Sequence, residues 1–463
     1  MKLRDIFAAS AVAITCVAAQ DSPPTNPKAD AGDELKGGDA YLARSVHAVA
    51  ERIAAIVQVN RIPTVVAVRA DEAARDAEAQ VRAQRLLSPA LAAARGRAWS
   101  DLGFGSGIEP QALLVAIERD VPGMTFDATR ERLLVDPDRM LPDSGHGDPD
   151  VDADASILLA TGVAPDEPIA GHYAAHALLD GRSPDGPVTT DALLARSALA
   201  EGSANLAALT LLFGGVGLEA EVVTGSLRPE EVMGGRLVPE SIRTAPPVVA
   251  SLLQFVYLDG FAQAAAIARK GGFGRLAQER RARLTTRDVV HLDRPPAPRA
   301  EVLEPSLAGS LALTVVDRDS LGEQGIVALV SLLTGKDNLG LIAGDGWVAD
   351  ALWRFEPGPG SPTKPGEGAT IWLTRWASDD DAADFSYGLE RCLQARFPGE
   401  SLESVPAGSG RTLRRADRTY RIERTGNQVA FRVVTPGIDV KPTPSPKKKG
   451  PPPRPIPSKN LSN

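Results

Sequence analysis

The sequence predicts an α+β fold: a mainly helical domain carrying short strands, then a smaller C-terminal α+β unit. Three observations lead there. Ala-, Arg- and Glu-rich stretches with helical apolar spacing fill much of the first 300 residues. Short β-branched runs interrupt them. From Ala369 onward a strand, an amphipathic helix and a hairpin pattern follow one another. The 43% hydrophobic and 24% charged composition is that of a globular chain. At roughly 100–200 residues per domain, the length allows about two to four domains.

The elements follow in order. Met1–Gln20 reads as an export signal, with Lys2 and Arg4 ahead of an uncharged run and small residues at Val17-Ala18-Ala19 for cleavage after residue 19. Ala13-Ile14-Thr15-Cys16 offers a second reading, a lipoprotein box that lipidates Cys16. Residues 20–39 are a Pro/Asp/Gly/Lys linker. Ala40–Gln58 and Asp71–Leu102 have helical spacing, with the β-rich run Thr64–Val68 between them. Gln111–Glu118 is expected as a helix, and Gly123–Val135 as a hairpin turning at Asp127-Ala128-Thr129-Arg130. Asp143–Asp154 is an acidic loop without calcium-loop spacing. Arg294–Arg299 and Glu356–Gly368 are Pro-rich joints. They bracket the passage from a first domain over residues 40–300 to a second over 301–435. In the second, Thr370–Thr374 is a strand, Asp379–Arg396 a helix, and Arg411–Val434 two strands turning at Gly426-Asn427. Trp347, Trp353, Trp372 and Trp376 are expected to pack this unit. Residues 436–463, with Lys447-Lys448-Lys449 and Pro451-Pro452-Pro453, read as a disordered basic tail.

Several function classes drop out on composition. Two cysteines exclude a disulfide scaffold and every thiolate zinc cluster. The net charge of −8 argues against non-specific nucleic-acid binding. Aromatics at 5% argue against stacking platforms for single strands. Gly103–Gly107 is glycine-rich but lacks the Gly-Lys-Ser/Thr of a phosphate loop. Histidine chemistry must come from His47, His146, His172, His176 or His291.

The informative segment is Gly171-His172-Tyr173-Ala174-Ala175-His176-Ala177-Leu178-Leu179-Asp180. Pro168 suits the start of a helix and Gly181 its end. His172 and His176 are i, i+4, so both rings project from one face, a geometry that lets two imidazoles share one metal ion. A second helix, Asp191–Phe213, follows a Thr-Thr-Asp start signal. Between Ala192 and Leu218 it holds two charged residues, Arg196 and Glu201, spaced too far around the helix to pair. A carboxylate on so apolar a helix needs a partner. His-x-x-x-His on one helix with Glu on the next is a catalytic-zinc ligand set. Asp180 and Asn205, each one turn from a ligand, are candidates to hold the ligands by hydrogen bonds.

With these residues in view, the chain resembles a family of exported bacterial zinc-metallopeptidase-like proteins of the gluzincin type. Their pattern is His-Glu-x-x-His-Ala-Leu-Gln-Asp-Gln, then a helix with Ala-Leu-x-Glu-Gly-Asp-Ala. Here the first reads His172-Tyr173-Ala174-Ala175-His176-Ala177-Leu178-Leu179-Asp180-Gly181, the second Ala198-Leu199-Ala200-Glu201-Gly202-Ser203-Ala204. The likeness extends over roughly residues 40–390. Gly123–Asp127 is similar to a Gly-x-Tyr-Asp hairpin, and Tyr257-Leu258-Asp259-Gly260 with Lys270–Phe273 to a Tyr-x-Asp-Gly…Gly-Gly-Trp stretch. Thr285–His291 resembles a worn Ser-Thr-Glu-Gln-x-x-His-Pro, Gly346–Asp350 resembles Gly-Trp-Gly-Gly-Asp, and Trp372–Phe385 resembles a strand followed by Trp-Asp-x-x-x-Asp-Ala-x-x-Phe.

The resemblance implies a zincin-like fold with Zn²⁺ on His172, His176 and Glu201. It places Tyr173 where the family has its general-base Glu, and His291 where a histidine could steady an oxyanion. Tyrosine, with an unperturbed pKa of about 10, is a poor base at neutral pH, and losing general-base help typically costs about 10²–10⁴-fold in rate. Arg287, Leu292 and Val348-Ala349 also depart from the family pattern. The expectation is a pseudoenzyme. It would act in the periplasm, on the outer membrane or outside the cell as a zinc- or protein-binding envelope module, with a peptide or protein partner. Its membrane contact would come through a lipid on Cys16 or the basic tail. Two alternatives stay open: an active zinc peptidase with an unusual base, and a structural envelope lipoprotein.

Overall fold

The computed structural model describes residues 37–59, 66–111, 114–115, 124–127, 132–135, 167–179, 188–212, 245–294, 303–305, 313–358, 367–404 and 409–436. Residues 1–20, where the sequence is expected to carry an export signal with Cys16, Gln111–Glu118 for the most part, Asp143–Asp154, Asp180 and residues 437–463 lie outside them.

The molecule is α+β. Its first part opens with α1 (Gly37–Val57) and β1 (Val66–Arg69). The run expected over Asp71–Leu102 is two helices, α2 (Glu72–Leu86) and α3 (Pro89–Leu102). The break is local chemistry. Asp71 caps α2 by accepting from Ala74 N at 2.8 Å. Ser88 caps α3 with Pro89 in its first turn, where a missing N–H costs nothing. Gly103 closes α3 at φ 108°, a left-handed position that suits glycine. β2 (Met124–Asp127) and β3 (Arg132–Val135) form the expected hairpin, and β1 adds parallel to β3, giving the order β1-β3-β2. This small sheet sits against α4 (Glu167–Leu179).

α4 and α5 (Thr190–Leu212) pack side by side at the centre of the helical part. α1 covers both, and α5 also packs on a helical stretch of three pieces. These are α6 (Pro247–Gln254), a π-helical turn (Phe255–Asp259) and α7 (Gly260–Ala282). The stretch Pro247–Ala282 is long and apolar enough to cross a membrane by length and composition alone. Half of its apolar window is buried within the fold, and α7 is broken at Gly271-Gly272, where Gly272 takes φ 66°. The short α8 (Thr286–Val290) follows, capped by Thr285.

The C-terminal part is β4 (Leu313–Asp319), α9 (Gly322–Thr334), α10 (Asp337–Gly344), β5 (Trp347–Pro357), β6 (Ala369–Trp376), α11 (Asp379–Arg396), β7 (Glu403–Ser404), β8 (Ser409–Arg414), β9 (Thr419–Thr425) and β10 (Gln428–Val434). These strands form one antiparallel seven-stranded sheet, ordered β4-β5-β6-β10-β9-β8-β7. Arg411–Val434 therefore holds parts of three strands, not two. The missed reversal lies at 415–418, where Arg415 N bonds Arg418 O at 2.8 Å in the stretch Arg415-Ala416-Asp417-Arg418, which has neither Gly nor Pro. Glu356 and Pro357 end β5 and are not part of a joint.

The two parts share a core. One apolar cluster runs from Ile53 of α1 through Leu199 of α5 and Phe255 to Trp372, Phe385 and Val433 of the sheet unit. Strand alternation divides β6: Trp372 faces that cluster, while Ile371 and Leu373 face a smaller one with Phe355 and Ala369. Trp347, Trp372 and Trp376 are buried; Trp353 is half-buried and donates its indole N–H to Leu303 O.

Candidate metal centre

The site is built from two helices and one close crossing. α4 is uninterrupted from Glu167 to Leu179, so its i, i+4 histidines stack on one face. That face meets Glu201 of α5. His172 Nε2 and His176 Nε2 are 3.0 Å apart. Glu201 Oε2 is 3.4 Å from His172 Nε2, and Oε1 is 3.5 Å from His176 Nε2. Among the described residues this is the one cluster of three or more metal-ligating side chains with donor atoms this close, all within 4.8 Å. It is recessed but reachable: the His172, His176 and Glu201 side chains are 19%, 11% and 23% exposed.

Burial alone would raise the Glu201 carboxyl. The facing His176 and His172 imidazoles overcome it with charge and hydrogen bonds, and hold the carboxyl well below the usual carboxylate range. The group therefore presents an ionised carboxylate beside two imidazole nitrogens, the protonation state that metal binding needs from a carboxylate.

Backbone packing fixes α5 sideways. A Cβ on Gly202 would lie 2.2 Å from Gly260 O, and one on Gly260 would lie 2.2 Å from Ala198 O. The helices cross with their backbones in contact, next to Glu201 and at the end of the π-helical turn. This gives a physical role to the Gly of both the Glu-Gly and the Asp-Gly motifs.

The other sequence candidates are placed as follows. Tyr173 is buried, its ring edge-on to His172 at 5.1 Å and tilted against His176 at 6.2 Å. Asn205 is half-buried, and no hydrogen bond joins it to either histidine. Asp180 lies outside the described residues. His291 is paired elsewhere: its Nε2 is 2.8 Å from Glu323 Oε1 at the start of α9. His47 pairs with Glu51 on the exposed side of α1.

Sequence reasoning missed a buried polar hub at the start of α5. Asp319 accepts from Thr190 N and from Thr190 Oγ1, each at 2.6 Å. Arg95 Nε of α3 lies 3.4 Å from Asp319 and 3.2 Å from Asp317. Asp191 accepts from Thr286 N at 2.8 Å and Thr286 Oγ1 at 2.6 Å. Asp350 accepts from Ser320 Oγ, Leu321 N, Gly322 N and Trp372 Nε1. Thr286, Asp350 and Trp372 all belong to segments that resembled peptidase motifs, and here they hold the fold together.

The comparisons with known proteins cover the C-terminal part. Residues 311–442 match the family described as Domain of unknown function (DUF8575). No curated protein and no solved structure matches the chain.

Proposed function

We propose that this chain is an exported protein of metallopeptidase type that binds zinc through His172, His176 and Glu201 and lacks efficient peptidase activity. The observation that carries the reading is the convergence of those three side chains with Tyr173 beside them. Ligands about 2.0–2.1 Å from a tetrahedral zinc ion lie about 3.3 Å from one another. The separations of 3.0, 3.4 and 3.5 Å fit that spacing. Zinc with three protein ligands keeps an open position and lowers the pKa of water bound there to about 7.

The chain's own residues supply less. The positions next to Tyr173 do not replace the missing carboxylate, since Ala174 and Ala175 are apolar and buried. A phenol in that place donates a hydrogen bond and does not accept a proton at neutral pH. The remaining capacity is to bind: two imidazoles, a carboxylate and a metal can hold a peptide carboxylate or carbonyl. A peptide or protein partner in the cell envelope is the ligand class that fits this chemistry.

The test is zinc analysis of the purified chain, with activity measured beside it. We expect about one zinc per chain, lost in His172→Ala, and no chelator-sensitive cleavage of casein. Tyr173→Glu is expected to create such cleavage, by at least about 10²-fold over the parent. Casein cleavage by the parent that a chelator abolishes would overturn the pseudoenzyme reading. A metal-free parent would overturn the zinc reading.

A further inference from the structure

The first backbone N–H groups of any helix have no partner inside it. In α5 some of them are met by Thr189, which accepts from Ala192 N on its hydroxyl at 3.3 Å and from Leu193 N on its carbonyl at 2.9 Å. Two others are met by the C-terminal unit. Thr190 N donates to Asp319 Oδ1 at 2.6 Å, and Asp191 N donates to Ser320 O at 2.8 Å. Asp319 cannot drift. It is 1% exposed, accepts from Trp99 Nε1 at 3.4 Å and from Ser320 N at 2.9 Å, and faces Arg95. Its negative charge also lies at the favourable end of the helix dipole. The Gly202–Gly260 crossing stops α5 from moving sideways, but two smooth glycine backbones do not stop it from sliding along or turning about its axis. The capping bonds do. Glu201 stands about 16 Å further along the same rigid helix, at 1.5 Å per residue. Its carboxylate meets the imidazoles at 3.4 and 3.5 Å, so a slide of about 1 Å would part them.

We infer that Asp319 and Ser320 of the C-terminal unit are positioning residues for the His172–His176–Glu201 group: by capping α5 they set its axial register and so the reach of Glu201 to the two imidazoles. The C-terminal unit is then a working part of the site, although it contributes no ligand. Where metal affinity is concerned the inference rests on the zinc reading above; the register itself does not.

The experiment uses the full chain with metal removed. The imidazole ¹⁵N shifts of His172 and His176 report Glu201's distance without any metal, and zinc affinity is then measured by competition with a chelator. Asp319→Ala and the milder Thr190→Val, which keeps the backbone N–H and deletes the hydroxyl, are compared with Leu373→Ala on the far face of the sheet. Asp319→Ala and Thr190→Val are expected to move both imidazole signals and to weaken zinc binding, at least tenfold for Asp319→Ala. Thr190→Ser is expected to restore the parent values. Leu373→Ala is expected to lower Tm and leave both readouts alone. Parent-like imidazole shifts in folded Thr190→Val and Asp319→Ala would overturn the inference, as would equal shifts in Leu373→Ala. A parent that binds no zinc defeats the metal reading, while the imidazole shifts still decide the positioning.

Discussion

Asp191 is 3% exposed, and the charged groups facing it, Asp350 and Asp288, are of like sign. Burial pushes its carboxyl up to about 8, against the pull of its bonds from Thr286. The native chain therefore binds a proton here that the unfolded chain, near pKa 3.9, releases. Asp191's contribution to stability is full below about pH 4 and is lost as pH rises through about 8. Burial raises Asp350, Asp317 and Glu323 in the same direction. We expect the urea midpoint of the parent to fall between pH 5 and pH 8.5. Asp191→Asn keeps an acceptor for Thr286 and should flatten that fall; an unchanged slope would remove Asp191 as its cause. At this scale the sequence was informative in one place and silent in another. His172, His176 and Glu201 were legible because a lone carboxylate on an apolar helix and an i, i+4 histidine pair each demand a partner. Asp319, Asp317 and Arg95 were not, because acids in a strand and an arginine in a helix read as solvated groups until residues 222 positions apart, Arg95 and Asp317, are brought together.

Helix α11 follows the spacing and cap written in the sequence, with its acidic first turn after Ser378, and α4 and α5 begin at the start signals of Pro168 and Thr189-Thr190-Asp191. What local pattern did not show was how they approach one another. The backbone contact between α5 and α7 depends on two glycines 58 positions apart in the numbering, one on each helix. Alanine at either site would gain about 1 kcal/mol of helix propensity, but its Cβ would meet backbone at 2.2 Å, and the helices would have to separate. Gly202→Ala and Gly260→Ala are each expected to be destabilising by about 2–3 kcal/mol in chemical denaturation. The double variant should cost clearly less than the sum, because one separation relieves both clashes. Additive losses would show that the two glycines do not share one contact. The π-helical turn beside Gly260 is a further feature that sequence spacing could not reveal, since its extra residue per turn is set by packing and not by composition.

For the whole molecule, the sequence correctly indicated an α+β fold with a sheet-bearing C-terminal unit. It suggested two units meeting at a joint, and across that joint run one apolar cluster and buried charged contacts. Arg354 of β5 reaches Asp101 of α3 at 2.8 Å and is 1% exposed. A fragment of residues 311–442, the span of the family match, would expose the Trp372–Phe385 side of its core and leave Asp319 without Thr190 and Arg95. We expect it to bind a hydrophobic dye and to melt below the intact chain. A fragment as stable as the whole would mean that the shared core adds nothing.

The cap on α5 also carries a consequence for the order in which the protein is made. Thr190 and Asp319 are 129 residues apart, so the helix bearing Glu201 leaves the ribosome well before the carboxylate that closes its first turn. At about 5–20 residues per second, translation separates the two by roughly 6–26 s. During that interval the two histidines and the glutamate have all been synthesised, but the register that joins them has not been set. On the zinc reading proposed above, metal capture belongs to the last stage of maturation, after the C-terminal sheet has formed. A chain cut short before residue 319 would carry all three ligands and still lack the site.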